Sequence, residues 1–182
     1  MLLNAADSVV VIVDVQEKLA PVVHQYDHLI ARMRWLGEIA NELNVSIVVT
    51  EQYPKGLGIS VDDLSAVIEN AHVIEKLHFS AWQESNFTDV LQQQEKRQVV
   101  LMGMEAHVCI LQTAIDLKQA GYEVFVVADA VGSRRDSDKQ AALARLRQLD
   151  VQIVTSEMVA YEWMHRSGTD TFRHITKNWI RG

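Results

Sequence analysis

Val9-Val10-Val11-Ile12-Val13, closed by Asp14, is a run of five β-branched apolar residues. Such side chains are stiff and favour extended backbone. A run that is apolar at both parities has no face to turn to water, so it reads as a strand buried on both sides. Ser46-Ile47-Val48-Val49, Gln98-Val99-Val100-Leu101-Met102 and Glu123-Val124-Phe125-Val126-Val127 share that character, and His72-Val73-Ile74-Glu75 and Val151-Gln152-Ile153-Val154 are weaker candidates. Between them apolar residues recur at helical spacing: Leu29-Ile30-Met33-Leu36-Ile39-Ala40-Leu43, Ile110-Leu111-Ala114-Leu117 and Ala141-Leu143-Leu146-Leu149. Strand alternating with helix implies right-handed crossovers and a mainly parallel sheet of six strands, covered by helices on both faces.

The expected fold class is therefore α/β, a single-domain, Rossmann-like three-layer α/β/α arrangement spanning residues 1–182. The bulk composition agrees, since 182 residues with 48% hydrophobic and 23% charged content can bury one substantial core. With 17 basic against 24 acidic side chains the formal charge is −7, which excludes a nucleic-acid surface as a working expectation; Arg134-Arg135 and Arg145-Leu146-Arg147 are too short to form one. One cysteine permits no internal disulfide, which fits a reducing cytosol. The N-terminus lacks a signal-like pattern and the Val9–Val13 run is too short to span a bilayer, so a cytoplasmic protein with no membrane partner is expected. The seven histidines, at 24, 28, 72, 78, 107, 165 and 174, show no ligand spacing. His24 and His28 lie four apart without a third ligand, so no metal and no cofactor is expected.

Ligands of such sheets sit at the carboxyl ends of the strands, and three of those ends carry chemistry. The first strand ends on Asp14, the third on Lys76, and the fourth runs through Gly103-Met104-Glu105-Ala106-His107-Val108-Cys109 into an apolar helical stretch. A cysteine at a helix start meets unpaired N–H groups and a partial positive charge that favour thiolate, and the same groups can hold an oxyanion. Each residue has an ordinary alternative: a small buried apolar side chain for Cys109, a turn acceptor for Asp14, a solvated cation for Lys76.

An Asp closing the first strand, a Lys opening Lys76-Leu77-His78-Phe79-Ser80-Ala81-Trp82, and a Cys entering a helix after a glycine-marked turn together resemble the isochorismatase-like cysteine hydrolases. The resemblance implies a triad in which Asp14 takes the thiol proton, Cys109 attacks an electrophilic carbon and Lys76 holds both in register. It also implies a cis peptide at Met104-Glu105 and an oxyanion hole built from the Met104, Glu105 and Cys109 turn. Nicotinamidases, which are relatives, carry an Asp-x-His pair and a further His after strand two to hold a metal. This chain has Thr50-Glu51-Gln52-Tyr53-Pro54-Lys55 there. The Glu105-Ala106-His107 turn looks more like that of the isochorismatase domain-containing branch, and the presence of Cys109 separates the chain from true isochorismatases, which lack the cysteine.

The expectation is thus a metal-independent hydrolase of a small amide-type C–N bond, working through a Cys thioester. The alternatives are a non-catalytic binding or scaffold protein of the same fold, or a thiol redox protein. Gln16, Tyr53, Phe79 and Trp82 are candidates for the wall of a small-molecule pocket, and the Gln52–Gly58 loop is expected to overhang it. Trp163 and Trp179 weight the tail with aromatic surface suited to docking on the core or on a second subunit, and the family's habit adds the expectation of a homo-oligomer.

Overall fold

In the computed structural model, which describes residues 1–181, the valine run is the body of strand β1 (Ser8–Val13), buried at every position. The chain continues through α1 (Tyr26–Glu42), β2 (Ser46–Gln52), α2 (Pro54–Leu57), α3 (Ser65–Ile68), β3 (His72–Lys76), α4 (Ser85–Gln93), β4 (Gln98–Met104), α5 (Leu111–Gln119), β5 (Glu123–Gly132), α6 (Asp136–Gln148), β6 (Gln152–Val154), α7 (Ser156–Met164) and α8 (Asp170–Ile175). The six strands form one sheet in the order β3-β2-β1-β4-β5-β6, with every neighbouring pair parallel.

Strand parity sorts the core into two layers. Val10, Ile12, Val49, Val100 and Phe125 point to the face covered by α1, α7 and α8, where they meet Leu29, Met33, Leu36, Val159 and Ile175. Val9, Val11, Val48, Leu101 and Val126 point to the other face, against Phe87 and Leu91 of α4, Ala114 and Leu117 of α5, and Leu143 and Leu146 of α6. Each fully buried Val, Leu or Phe contributes about 1.5–3 kcal/mol of transfer free energy, so burial at both parities is what holds the sheet between the layers. The α4 segment is amphipathic and anchors itself by Phe87 and Leu91.

Several strands run further at their carboxyl ends than the apolar runs foretell. β2 extends through Thr50, Glu51 and Gln52 because these polar residues are paired in the ladder with β3, Gln52 opposite Lys76. The chain leaves β1 towards β2 and β3, then returns to place β4 on the other side, so the crevice at the carboxyl end lies between β1 and β4. Gly103 makes that approach possible. It sits opposite Val13 at φ +124, where an added Cβ would meet the Val13 carbonyl oxygen at 2.2 Å.

The aromatic tail folds back on its own chain. Trp163 is buried and its indole N–H donates to Ser8 Oγ at 3.0 Å. Trp179 accepts at its carbonyl from Trp35 Nε1 at 2.6 Å and donates from its own indole to Glu38 Oε2 at 2.9 Å. Of the two uses expected for these tryptophans, docking on the core is the one observed. Among the described residues no helix is long and apolar enough to cross a membrane.

Candidate active site

Asp14 is the first residue beyond β1, with its N–H held by the Thr50 carbonyl at 3.0 Å and its φ at +52, a conformation that Asp tolerates better than most residues. The turn brings its carboxylate inward, where it is fully buried. Thr50 Oγ1 donates to Oδ1 at 2.7 Å, and Lys76 Nζ lies 2.7 Å from Oδ2. Both side chains of that ion pair are wholly removed from solvent. No donor is aligned on Oδ2 as a hydrogen bond, so this oxygen carries the open lone pairs of the carboxylate.

Lys76 ends β3, which is separated from β1 by β2, so its side chain reaches over the end of β2 to meet Asp14. Its ammonium donates to Gln52 Oε1 at 2.6 Å, to the Phe79 carbonyl at 3.1 Å and to the His78 carbonyl at 3.3 Å. A buried charge is tolerable only with such a full set of partners.

Cys109 enters from β4. Ala106–Ile110 form a single π-helical turn ahead of α5, with Ile110 N–H bonded to the Glu105 carbonyl at 3.2 Å, and the Met104-Glu105 peptide bond is cis. Two side-chain bonds tie this turn to the segment after β5: Arg134 Nε donates to Glu105 Oε1 at 2.7 Å, and His107 Nδ1 lies 2.9 Å from Ser133 Oγ. Cys109 is 5% exposed, and the charges of Asp14 and Lys76 both act on its thiol. Burial, and then the Asp14 charge, push it up to about 12, with Lys76 pulling the other way. Burial also raises Asp14, against the downward pull of Lys76. The resting thiol therefore holds its proton beside the Asp14–Lys76 pair. Desolvation outweighs the pull of Lys76 on the thiol.

The segment after Lys76 is clamped by Glu84. Its Oε1 accepts from Leu77 N–H at 2.9 Å and His78 N–H at 3.0 Å, and lies 2.9 Å from His78 Nδ1. The backbone hydrogen bonds, led by that from His78, lower the carboxyl from 4.5 to about 2. A depressed carboxylate stabilises the fold fully above its unfolded value and loses that contribution as pH falls through its folded value. Glu84→Gln is therefore expected to lower the free energy of urea unfolding above pH 4.5, with the gap to the native chain closing as pH falls towards about 2. A gap independent of pH would show that the Glu84 charge is not what clamps the loop.

Two cavities lie along the Lys76–Ser80 segment, neither of them lined by Asp14 or Cys109. One of about 390 Å³ lies between Tyr53 and Leu77, and one of about 470 Å³ lies between Phe79 and Gln112 of α5. Tyr53 and Phe79 are thus wall residues of these cavities. Gln16 and Trp82 are not. Gln16 is buried and its amide is spent on backbone, donating to Gln52 O at 3.0 Å and Gly58 O at 2.6 Å while accepting from Gln52 N–H at 2.8 Å. Trp82 packs edge-on against Tyr122, the residue before β5, while its neighbour Ala81 is bonded to Thr113 of α5. The Gln52–Gly58 loop is pinned at several points, by Gln16, by Lys18 Nζ on the Gly56 carbonyl at 3.1 Å, and just beyond its end by Glu51 Oε1 on Ser60.

Thr50 and Gln52 are the residues that sequence reasoning missed. Part of the signal was available in strand parity: Thr50 and Gln52, two apart at the end of β2, face the same side as Lys76, whereas Asp14 joins them only through its positive-φ turn. Among the described residues no group of three or more His, Cys, Asp or Glu side chains gathers closely enough to hold a metal ion.

Comparison with known proteins accounts for this arrangement. The chain is 38% identical over 175 residues to isochorismatase domain-containing protein 2 of Danio rerio, covering 96% of this chain and 88% of that one. It is 35% identical over 176 residues to the secreted isochorismatase effector Isc1 of Phytophthora sojae, covering 93% and 83%. Among solved structures, one described as the MAR1 ribonuclease of Caenorhabditis elegans superposes with a TM-score of 0.91 at 35% identity, covering 97% of this chain and 91% of that one. The YcaC gene product of Escherichia coli, described as an octameric hydrolase of unknown specificity, superposes with a TM-score of 0.92 at 26% identity, covering 100% and 92%. Residues 8–158 match the isochorismatase domain, and with relatives this similar along nearly its whole length the chain belongs to the isochorismatase family.

Proposed function

We propose that the chain is a cysteine hydrolase that cleaves a small amide-type C–N bond through a Cys109 thioester, with Asp14, Lys76 and Cys109 as its triad. The observation that carries this reading is the buried Asp14–Lys76 ion pair, 2.7 Å apart at the carboxyl ends of β1 and β3, beside the strand β4 whose end leads into the buried Cys109. A thiol raised to about 12 holds its proton at neutral pH, so the nucleophile forms only as the bond to carbon forms. Sγ attacks the carbonyl carbon while its proton passes to Asp14, and the charge that leaves the carboxylate develops on the substrate oxygen. N–H groups of the Met104–Cys109 turn hold that oxygen. Asp14 then returns the proton to the leaving nitrogen as the C–N bond breaks, leaving a thioester. Water, giving a proton to Asp14, attacks the thioester and releases the acid, and the proton goes back to sulfur. Lys76 stays charged throughout and offsets the anion wherever it resides. Nucleophile, base and counter-charge are all supplied by side chains, so this sequence of steps calls on no cofactor.

A small molecule suits the nearly closed thiol. An RNA substrate is disfavoured by the formal charge of −7. The chain is further proposed to work as a homo-oligomer inside the cell. Support comes from Tyr53, Ile59, Leu77 and Phe79, apolar residues exposed together around the carboxyl edge, and from the octamer formed by the Escherichia coli neighbour. Light scattering that gives a monomer mass at micromolar concentration would remove that part of the reading.

The test of the activity is ammonia release from a panel of small amides and ureides, native chain against Cys109→Ala. Release by the native chain alone is expected. No release from either would favour a scaffold of the same fold, and release unaffected by Cys109→Ala would overturn the thioester. Peroxide consumption dependent on Cys109, without amide cleavage, would favour the redox alternative.

A further inference from the structure

We infer that Gln52 is a positioning residue of this hydrolase, whose side-chain amide fixes where Lys76 holds its charge and, through Lys76, sets the reactivity of Cys109. The inference rests on the thiol-hydrolase reading above.

Gln52 and Lys76 are cross-strand partners at the ends of β2 and β3. The Gln52 amide has one orientation that satisfies both of its ends: Nε2 donates to the Leu77 carbonyl at 2.9 Å, which leaves Oε1 facing Lys76 Nζ at 2.6 Å. That is the shortest of the contacts made by the ammonium, and among the described residues Oε1 is the one side-chain oxygen that accepts a hydrogen bond from it, Asp14 being its ion-pair partner. The two carbonyls that complete the cage belong to the loop held by Glu84. Gln52 is held in turn at its own backbone, N–H and carbonyl both bonded to the Gln16 amide, so a change of its side chain leaves that tether in place.

The residue type matters as well as the contact. An uncharged acceptor solvates the buried ammonium without adding a second anion beside Asp14 and the developing thiolate. A glutamate in the same place would accept the same hydrogen bond, but it would compete with Asp14 for Lys76 and hold the thiol proton more tightly. Methionine would fill the space and accept almost nothing.

The experiment is the pH dependence of Cys109 alkylation by iodoacetamide, measured on folded protein for the native chain, Gln52→Met, Gln52→Glu, Lys76→Met and the Gln52→Met/Lys76→Met double variant. Gln52→Met is expected to slow alkylation at mildly alkaline pH by about three- to tenfold, the loss of one hydrogen bond to a buried charge. Its rate curve should move to higher pH, in the same direction as that of Lys76→Met and by less. Gln52→Glu should move it at least as far. In the Lys76→Met background Gln52→Met should add nothing, because its effect passes through the ammonium. A residue with a purely structural role would lower the melting temperature and leave the pH curve where it was, and that result would overturn the assignment. An added effect in the double variant would overturn it too. If Lys76→Met itself leaves the curve in place, the triad reading falls along with it; if Lys76→Met moves the curve and Gln52→Met does not, only the role of Gln52 falls. Should Lys76→Met fail to fold, the Lys76 ammonium resonance of the native chain takes its place. A caged group gives a slowly exchanging signal that Gln52→Met should broaden, and an unchanged signal would sink the proposal.

Discussion

Asp14→Asn is expected to lower turnover of any responsive amide by about 10²–10⁴-fold while making Cys109 more, not less, reactive towards iodoacetamide. The two effects part because Asp14 does two things to the same thiol. It is the group that receives the proton during attack, so its loss removes general-base catalysis. Its charge is also one of the causes that push Cys109 up to about 12, so its loss lets the thiol ionise more readily beside a Lys76 that has lost its counter-ion. Alkylation needs only thiolate. Amide cleavage also needs a proton delivered to the leaving nitrogen, which asparagine cannot supply. A variant in which turnover and alkylation fell together would point to a collapsed site, and one that kept full turnover would remove Asp14 from the mechanism.

The fold was largely legible because burial on both faces of a parallel sheet leaves an unmistakable mark, and the Val9–Val13 run could be little else. The strand ends were less so. Glu51 and Gln52 are polar, and what makes them strand is their pairing with Glu75 and Lys76, a partner choice that one strand cannot announce. The same limit explains the site. Asp14, Lys76 and Cys109 are conspicuous as polar residues closing apolar runs, whereas Gln52 looks like part of a loop until register sets it against Lys76. Gln16 and Trp82 both follow an interesting residue closely in sequence, but Gln16 turns its amide to the loop backbone and Trp82 packs against Tyr122. The state of the thiol was beyond the sequence altogether, since it depends on how completely α5, the cis turn and the Lys76 loop exclude water.

Lys76→Met should be the most damaging single change to the fold itself, costing about 3–5 kcal/mol at neutral pH, the usual loss when one partner of a buried ion pair is removed. Methionine matches the length and volume of the lysine stem, so little of the loss comes from a cavity. It comes from Asp14, left as an unpaired anion with Thr50 as its remaining neutral donor. Burial already raises Asp14 from 3.8, and Lys76 is the first of the influences that oppose it. Removing the ammonium raises the folded-state value further while the unfolded value stays put. For a carboxyl raised on folding, stability is full below the unfolded value and is lost as pH rises through the folded one. The deficit of Lys76→Met in urea unfolding should accordingly be small in acid, where Asp14 is protonated in both states, and should grow as pH rises. Adding Asp14→Asn should recover most of it, because a neutral amide needs no counter-ion. A deficit that stayed constant with pH and was untouched by Asp14→Asn would mean that Lys76 supports the fold by packing alone, and that the carboxylate beneath the thiol is not held in place by its charge.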